Sequence, residues 1–331
     1  MMRRLLLIAG VAFSPGLVPA APSRPDPEDR NLAVLKRRLG VDRLMAQATT
    51  RPARPRVLRV WGGLAKDMAF LSGWSVTSMM LRPVVPYGMA ETYILKRQRG
   101  PAEERAEEVG SLVPDGVTSR PFTAAERPET VRIKVCVGTS ARAAMEMALR
   151  TMATTTAPIE FFARHLSLSR KGPGDIAVVV KFREGTEGPV VFFVRDNIAV
   201  VFQGGLDKSQ GLAQSLDDDF KTAEKIDEAA YQVLCPPPVV SGAVLRRSTE
   251  RKRIILHLRL TSSSPPPPEN CEIRAVFNTT DTGYRGEYNA QQGLMEFNMV
   301  TETWPSEYGV VVYDRASLLS RWATGKIPDS E

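Results

Sequence analysis

The chain has 331 residues, 43% of them hydrophobic, 7% aromatic and 24% charged, and carries a formal charge of +7. That composition is too apolar for a disordered chain, and the length allows two or three folded units that need no disulfide or metal to hold them. Two histidines and three cysteines exclude a four-cysteine or a three-histidine zinc site, and no metal or other cofactor is expected.

Arg3 and Arg4 precede an apolar run at 5–13, which Ser14, Pro15, Gly16 and Pro19 stop. This is the pattern of a secretory signal peptide over residues 1–20, with cleavage before Ala21. The run is less than half of the ~20 residues that cross a bilayer. The uncharged stretch at 68–81 is of core length too. The mature chain is therefore expected to have no integral membrane segment and to be exported, to the periplasm or to the medium.

The basic surplus lies before residue 131 and concentrates at 24–59, where Lys36, Arg37, Arg38, Arg43, Arg51, Arg54, Arg56 and Arg59 meet few acids. No aromatic side chains are interleaved as stacking platforms, so this reads as a solvated helix face and a linker, and no nucleic-acid partner is expected. Residues 21–55 are read as a helical segment and that linker. Asp26, Pro27, Glu28 and Asp29 make a helix start, and Leu32, Leu35, Leu39, Val41, Leu44 and Met45 form an apolar stripe interrupted at Gly40. Prolines break the chain at 49–55. Residues 56–130 are mixed, strand-like at 92–95 and helical and polar at 102–108, and are expected to pack on the domain that begins at residue 131.

From residue 131 the periodicity sharpens. Val131, Ile133 and Val135 alternate with Arg132 and Lys134 on a strand, and Gly138, Thr139 and Ser140 lead into a helix bearing Ala144, Ala148, Leu149 and Met152. Strands at 176–182, 190–194 and 198–202 are separated by a loop at 185–189 and a tight turn at Asp196-Asn197, the pattern of an antiparallel meander. Asp207 and Gln210 resemble a capping box before a helix with Leu212, Leu216, Phe220 and Ala223 on one face. The order β-α-β-β-β-α over residues 131–233 predicts an α+β domain, an antiparallel sheet with its helices on one face. The strand at 191–194 is apolar on both sides, so its second face needs a cover, expected from residues 56–130 more than from a partner protein.

Pro236, Pro237 and Pro238 mark the next boundary. Period-two runs at 254–260, 273–277, 295–299 and 310–313, separated by turn clusters at 262–268 and 281–283, predict an all-β unit at 236–324. The layout resembles the immunoglobulin-like and fibronectin-type sandwiches of exported proteins, without the buried tryptophan and paired cysteines of antibody domains. That resemblance implies adhesion, docking or spacing.

No residue qualifies as catalytic, cofactor-binding or metal-binding. Ser140 at a strand-to-helix handover, with His165 and Asp175 after it, has the residue types of a triad but no G-x-S-x-G elbow, and Thr139 or Ser140 is accounted for as a helix cap. His165 reads as a loop or surface residue, and His257 lies on the polar face of its strand. Asp217, Asp218 and Asp219 fan out around a helix and read as a solvated face. The segment 278–283 lacks the carboxylates of a calcium loop and reads as a turn. Gly62-Gly63 and Gly204-Gly205 lack the flanks of a phosphate loop. If two of the three cysteines pair, Cys235 with Cys271 is the best match, and Cys136 behaves as a buried hydrophobe. The reading is an exported, non-enzymatic binding or assembly protein whose partner is another envelope or extracellular protein. The alternative is a hydrolase or transferase with its site in the N-terminal half.

Overall fold

The computed structural model describes residues 27–44, 74–97, 130–155, 164–169, 171–180, 189–204, 206–222, 225–238, 240–248, 253–260, 270–277, 284–289, 294–300 and 305–327. The expected signal peptide at 1–20, the linker at 49–55, Gly62-Gly63, the polar helix at 102–108, the turn cluster at 262–268 and the turn at 278–283 lie outside the described residues, as do Gly205 and the side chains of Asp207 and His257.

Helix α1 (Pro27–Leu39) carries Glu28 and Asp29 in its first turn and Lys36, Arg37 and Arg38 in its last, each charge set against the helix dipole it favours. Gly40, at φ +61°, ends it in the left-handed conformation that costs glycine least. One more helical turn follows at 41–44. Strands β1 (Trp74–Val84), β2 (Gly88–Arg97) and β3 (Thr130–Gly138) form an antiparallel meander. After helix α2 (Ala141–Thr155) come β4 (Leu166–Ser169), β5 (Ile176–Val180), β6 (Pro189–Arg195) and β7 (Ile198–Gln203), a second meander. Because β7 pairs with β3, the two fuse into one seven-stranded sheet, ordered β1-β2-β3-β7-β6-β5-β4.

The pleat sorts the apolar side chains onto two faces. Val131, Ile133, Val135, Val191, Phe193, Val200 and Phe202 belong to one core, and Cys136, Phe192, Val194, Ala199 and Val201 to the other. The second face is covered by α2, with Met145, Ala148, Leu149 and Met152, and by α1 through Leu32 and Leu35. The first face takes helix α3 (Leu206–Thr222), whose Leu212, Ala213, Leu216 and Phe220 are buried there, with the Phe220 ring 6.1 Å from that of Phe193. The expectation of helices on one face is corrected: α2 and α3 lie on opposite faces. Since β6 is apolar on both sides, a cover on one side alone would leave either Val191 and Phe193 or Phe192 and Val194 in water. Residues 74–97 do not serve as that cover. They extend the sheet edgewise as β1 and β2.

Helix α4 (Glu228–Leu234) leads to a second seven-stranded antiparallel sheet of β8 (Val240–Ser248), β9 (Arg253–Leu260), β10 (Cys271–Phe277), β11 (Tyr284–Asn289), β12 (Leu294–Val300), β13 (Glu307–Asp314) and β14 (Ser320–Lys326), ordered β14-β13-β10-β11-β12-β9-β8. The meander β10-β11-β12 has β13 returning beside its first strand and β9 lying beside its last, so two Greek keys overlap. Strand β11 pairs with β10 through Tyr284 and Arg285 and with β12 through residues 286–289. The fold is thus α+β. Both sheets feed one continuous apolar core, in which Ile273, Ala275, Val310 and Val312 join Val131, Val200 and Phe202.

Candidate functional site

Among the described residues, three places concentrate polar chemistry. The first is at the base of α3. Residues 213, 216, 217 and 220 share the buried helical stripe, so Asp217 is forced inward with Ala213, Leu216 and Phe220 while Asp218 and Asp219 reach solvent. The Arg195 guanidinium, at the end of β6, donates to both Asp217 oxygens, Nη2 to Oδ2 at 3.0 Å. It lies 3.6 Å from Asp175, whose Oδ2 accepts the Asp196 backbone N–H at 3.2 Å. Lys221 is 3.4 Å from Asp217 and 2.6 Å from Asp218. Burial acts to raise the Asp217 pKa, but the hydrogen bonds from Arg195 and the Gly174 amide and the charges of Arg195 and Lys221 outweigh it, holding the carboxyl below the ordinary range. Gly174 meets this need at φ +76°, where a Cβ would lie 2.5 Å from the Val194 carbonyl oxygen. The network ties α3 to the loops that start β5 and end β6. The expectation that all three aspartates are solvated is corrected for Asp217.

The second place is where α4 meets the second sheet. Asp227 caps the helix, accepting the Ala230 N–H at 2.8 Å. Tyr231 is buried and donates its hydroxyl to the Ser320 carbonyl at 2.5 Å, with the Arg321 guanidinium 3.8 Å above its ring. Cys235, which ends α4, points its thiol at the Val312 carbonyl at 3.0 Å, and the Cys271 thiol lies 3.0 Å from the Leu234 carbonyl. All three cysteines are free thiols. On the outer side of the same helix Val233 is 76% exposed and Leu234 37%.

The third is a recess of about 230 Å³ bounded by Val85 from the β1–β2 turn and by Glu307, Tyr308, Thr324 and Lys326 of β13 and β14. Glu307 and Lys326 are cross-strand partners at its rim. Tyr308 lies across Gly325, where a Cβ would come 2.4 Å from the phenol oxygen. Burial raises the Tyr308 phenol above its ordinary value.

The triad types do not converge. Ser140 accepts the Ala143 N–H at 3.1 Å as the cap of α2. Leu166 pairs with Val180 and Ser169 with Ala177, so His165 and Asp175 sit at opposite ends of the β4–β5 hairpin. The other end of that hairpin holds Asp175 in the Arg195 network. Cys136 is buried against α2, and burial pushes its thiol up to about 11 despite the Lys134 charge and a hydrogen bond with Thr151. Among the described residues no His, Cys, Asp or Glu groups are arranged to hold a metal, and no helix is long and apolar enough to cross a membrane. Apart from the pairing of Cys235 with Cys271, sequence pattern alone does not single out the α4 and recess residues. For the burial of Asp217 it does hold a signal, the position four residues after Ala213 and three before Phe220.

No protein-family model matches the chain, and no curated protein matches it.

Proposed function

We propose that this is an exported, non-enzymatic binding or assembly protein whose second sheet is an immunoglobulin-like sandwich that meets another envelope or extracellular protein. The observation that carries the reading is strand order. Lettered A to G from β8 to β14, the seven strands run A-B-E-D-C-F-G, which is the A-B-E-D layer and the C-F-G layer of a constant-type immunoglobulin domain placed end to end. Strand β11, in the D place of that order, pairs with its two neighbours through different residues, Tyr284 and Arg285 on one side and 286–289 on the other. Modules of this topology bind through edges and loops, an inference by analogy of fold. Within this one, the recess beside edge strand β14 and the exposed apolar tip of α4 offer the contact surface.

Two experiments test the proposal. Amino-terminal sequencing of the protein from periplasm or medium is expected to begin at or near Ala21, and an intact Met1 in the membrane fraction would sink export. Immobilised mature chain is expected to retain a specific partner from envelope extract and to lose it on Lys326→Glu, a change at the exposed rim. Retention that ignores this substitution would remove the recess as the contact. Retention of nothing by either chain would remove the binding function.

A further inference from the structure

We propose that Cys235 and Cys271 are a dithiol pair that closes to a disulfide, pinning the end of α4 to the start of β10 and leaving Cys136 as the protein's free thiol. The interleaving of the two residues carries this. The Cys271 sulfur lies 3.0 Å from the carbonyl oxygen of Leu234, one peptide unit from Cys235. The Cys235 sulfur lies 3.0 Å from the carbonyl of Val312, which pairs with Ile273, two residues beyond Cys271 on β10. The Cys271 sulfur therefore sits against the end of α4 and the Cys235 sulfur against the β13 strand beside β10, with the two thiols near enough to interact. Neither position is free to drift. Cys235 is fixed by its own N–H donating to the Tyr231 carbonyl at 2.9 Å, and Cys271 by its pairing with Asp314. Cys136 belongs to the core on the far face of the first sheet and cannot compete.

The pair is also asymmetric in the way exchange needs. Cys235 is fully buried whereas Cys271 keeps 6% of its surface, so an external disulfide reaches the Cys271 sulfur first. Cys271 is thus the attacking sulfur. With a low-molecular-weight disulfide as oxidant, the Cys271 thiolate attacks one oxidant sulfur, forming a mixed disulfide and expelling the first thiolate, which takes up a proton. The Cys235 thiol then gives up its proton, attacks the Cys271 sulfur and expels the second thiol. Two electrons pass from the pair to the oxidant, which leaves as two thiols. The closed loop contains β8 and β9, so the crosslink joins the entry and exit of that hairpin and removes chain entropy from the unfolded state.

The test uses the full chain, both folded and refolded, in oxidised glutathione, then unfolded and alkylated with N-ethylmaleimide. One adduct, on Cys136, and a crosslinked peptide joining Cys235 to Cys271 are expected, against three adducts after dithiothreitol. Reduction is expected to lower Tm by ~5 °C or more. Cys235→Ser, which keeps a donor for the Val312 carbonyl, is expected to abolish both the internal crosslink and the reductant-sensitive Tm. Three adducts by both routes, a crosslink through Cys136, or a Tm indifferent to reductant would overturn the proposal. The outcome is independent of whether the protein is exported.

Discussion

At the scale of single residues, Asp217 carries the most leverage. Its carboxylate is nearly inaccessible and satisfied by Arg195, the Gly174 amide and Lys221. Removing one partner of a buried pair leaves the other charge desolvated, so Asp217→Ala is expected to cost about 3 kcal/mol, read as a drop in the urea midpoint at unchanged slope. Retention of Asp175 near Arg195 places it at the low end of that class. The sign of the pH effect comes from linkage. A carboxyl whose folded pKa lies below its ordinary value of 3.8 contributes stability that is present above that value and is lost as pH falls through the folded pKa. Acid titration of the wild type should thus show a loss of stability below about pH 4 that the Asp217→Asn variant lacks. Gly174→Ala is expected to damage the same network, because both its φ and the nearby Val194 carbonyl oppose a side chain.

Secondary elements are held in place by opposed layers. Because α3 covers the face that α2 does not, truncating the ring in its last turn should uncover β6 instead of merely loosening a helix. Phe220→Ala is expected to cost about 4 kcal/mol by thermal or urea melts, with the far core around Phe192 and Met145 keeping its packing. Helix α4 is too short to persist by propensity and depends on its cap and on Tyr231. Asp227→Ala is expected to lose about 1 kcal/mol, and Tyr231→Phe a similar amount by leaving the Ser320 carbonyl without its donor. A double variant departing from additivity would show the two acting on one element.

For the whole molecule, β3 is the hinge of the first sheet, with β2 on one side and β7 on the other. A chain beginning at residue 130 loses β2's backbone partners and the α1 cover over α2, and is expected to self-associate, measured by light scattering. A soluble monomer would mean that β1 and β2 are dispensable. Tyr231, Leu234 and Cys235 tie α4 to β10, β13 and β14. A fragment from residue 236, deprived of Tyr231 and Cys235, is therefore expected to be less stable by several degrees in Tm than one from residue 225.

Local patterning was enough to specify the elements whose side chains alternate strongly or repeat at helical spacing: α1, α2, α3 and the strands β3, β5, β6, β7, β9, β10, β12 and β13. Strand β4 is four residues long, β14 (SRWATGK) lacks alternation and α4 is seven residues, each below the length or contrast at which periodicity speaks. Sequence also required that both faces of β6 be covered, since Phe192 and Phe193 point opposite ways. It did not say by what, because which helix takes which face depends on how the chain crosses the sheet. Nor did it reveal that the first sheet continues into residues 74–97 or that Asp217 meets Arg195, and for Cys235 and Cys271 it offered a pairing without the distance between them. Those are pairings between distant segments, and their partners are chosen by sheet order and core packing, which exist only once the chain has folded.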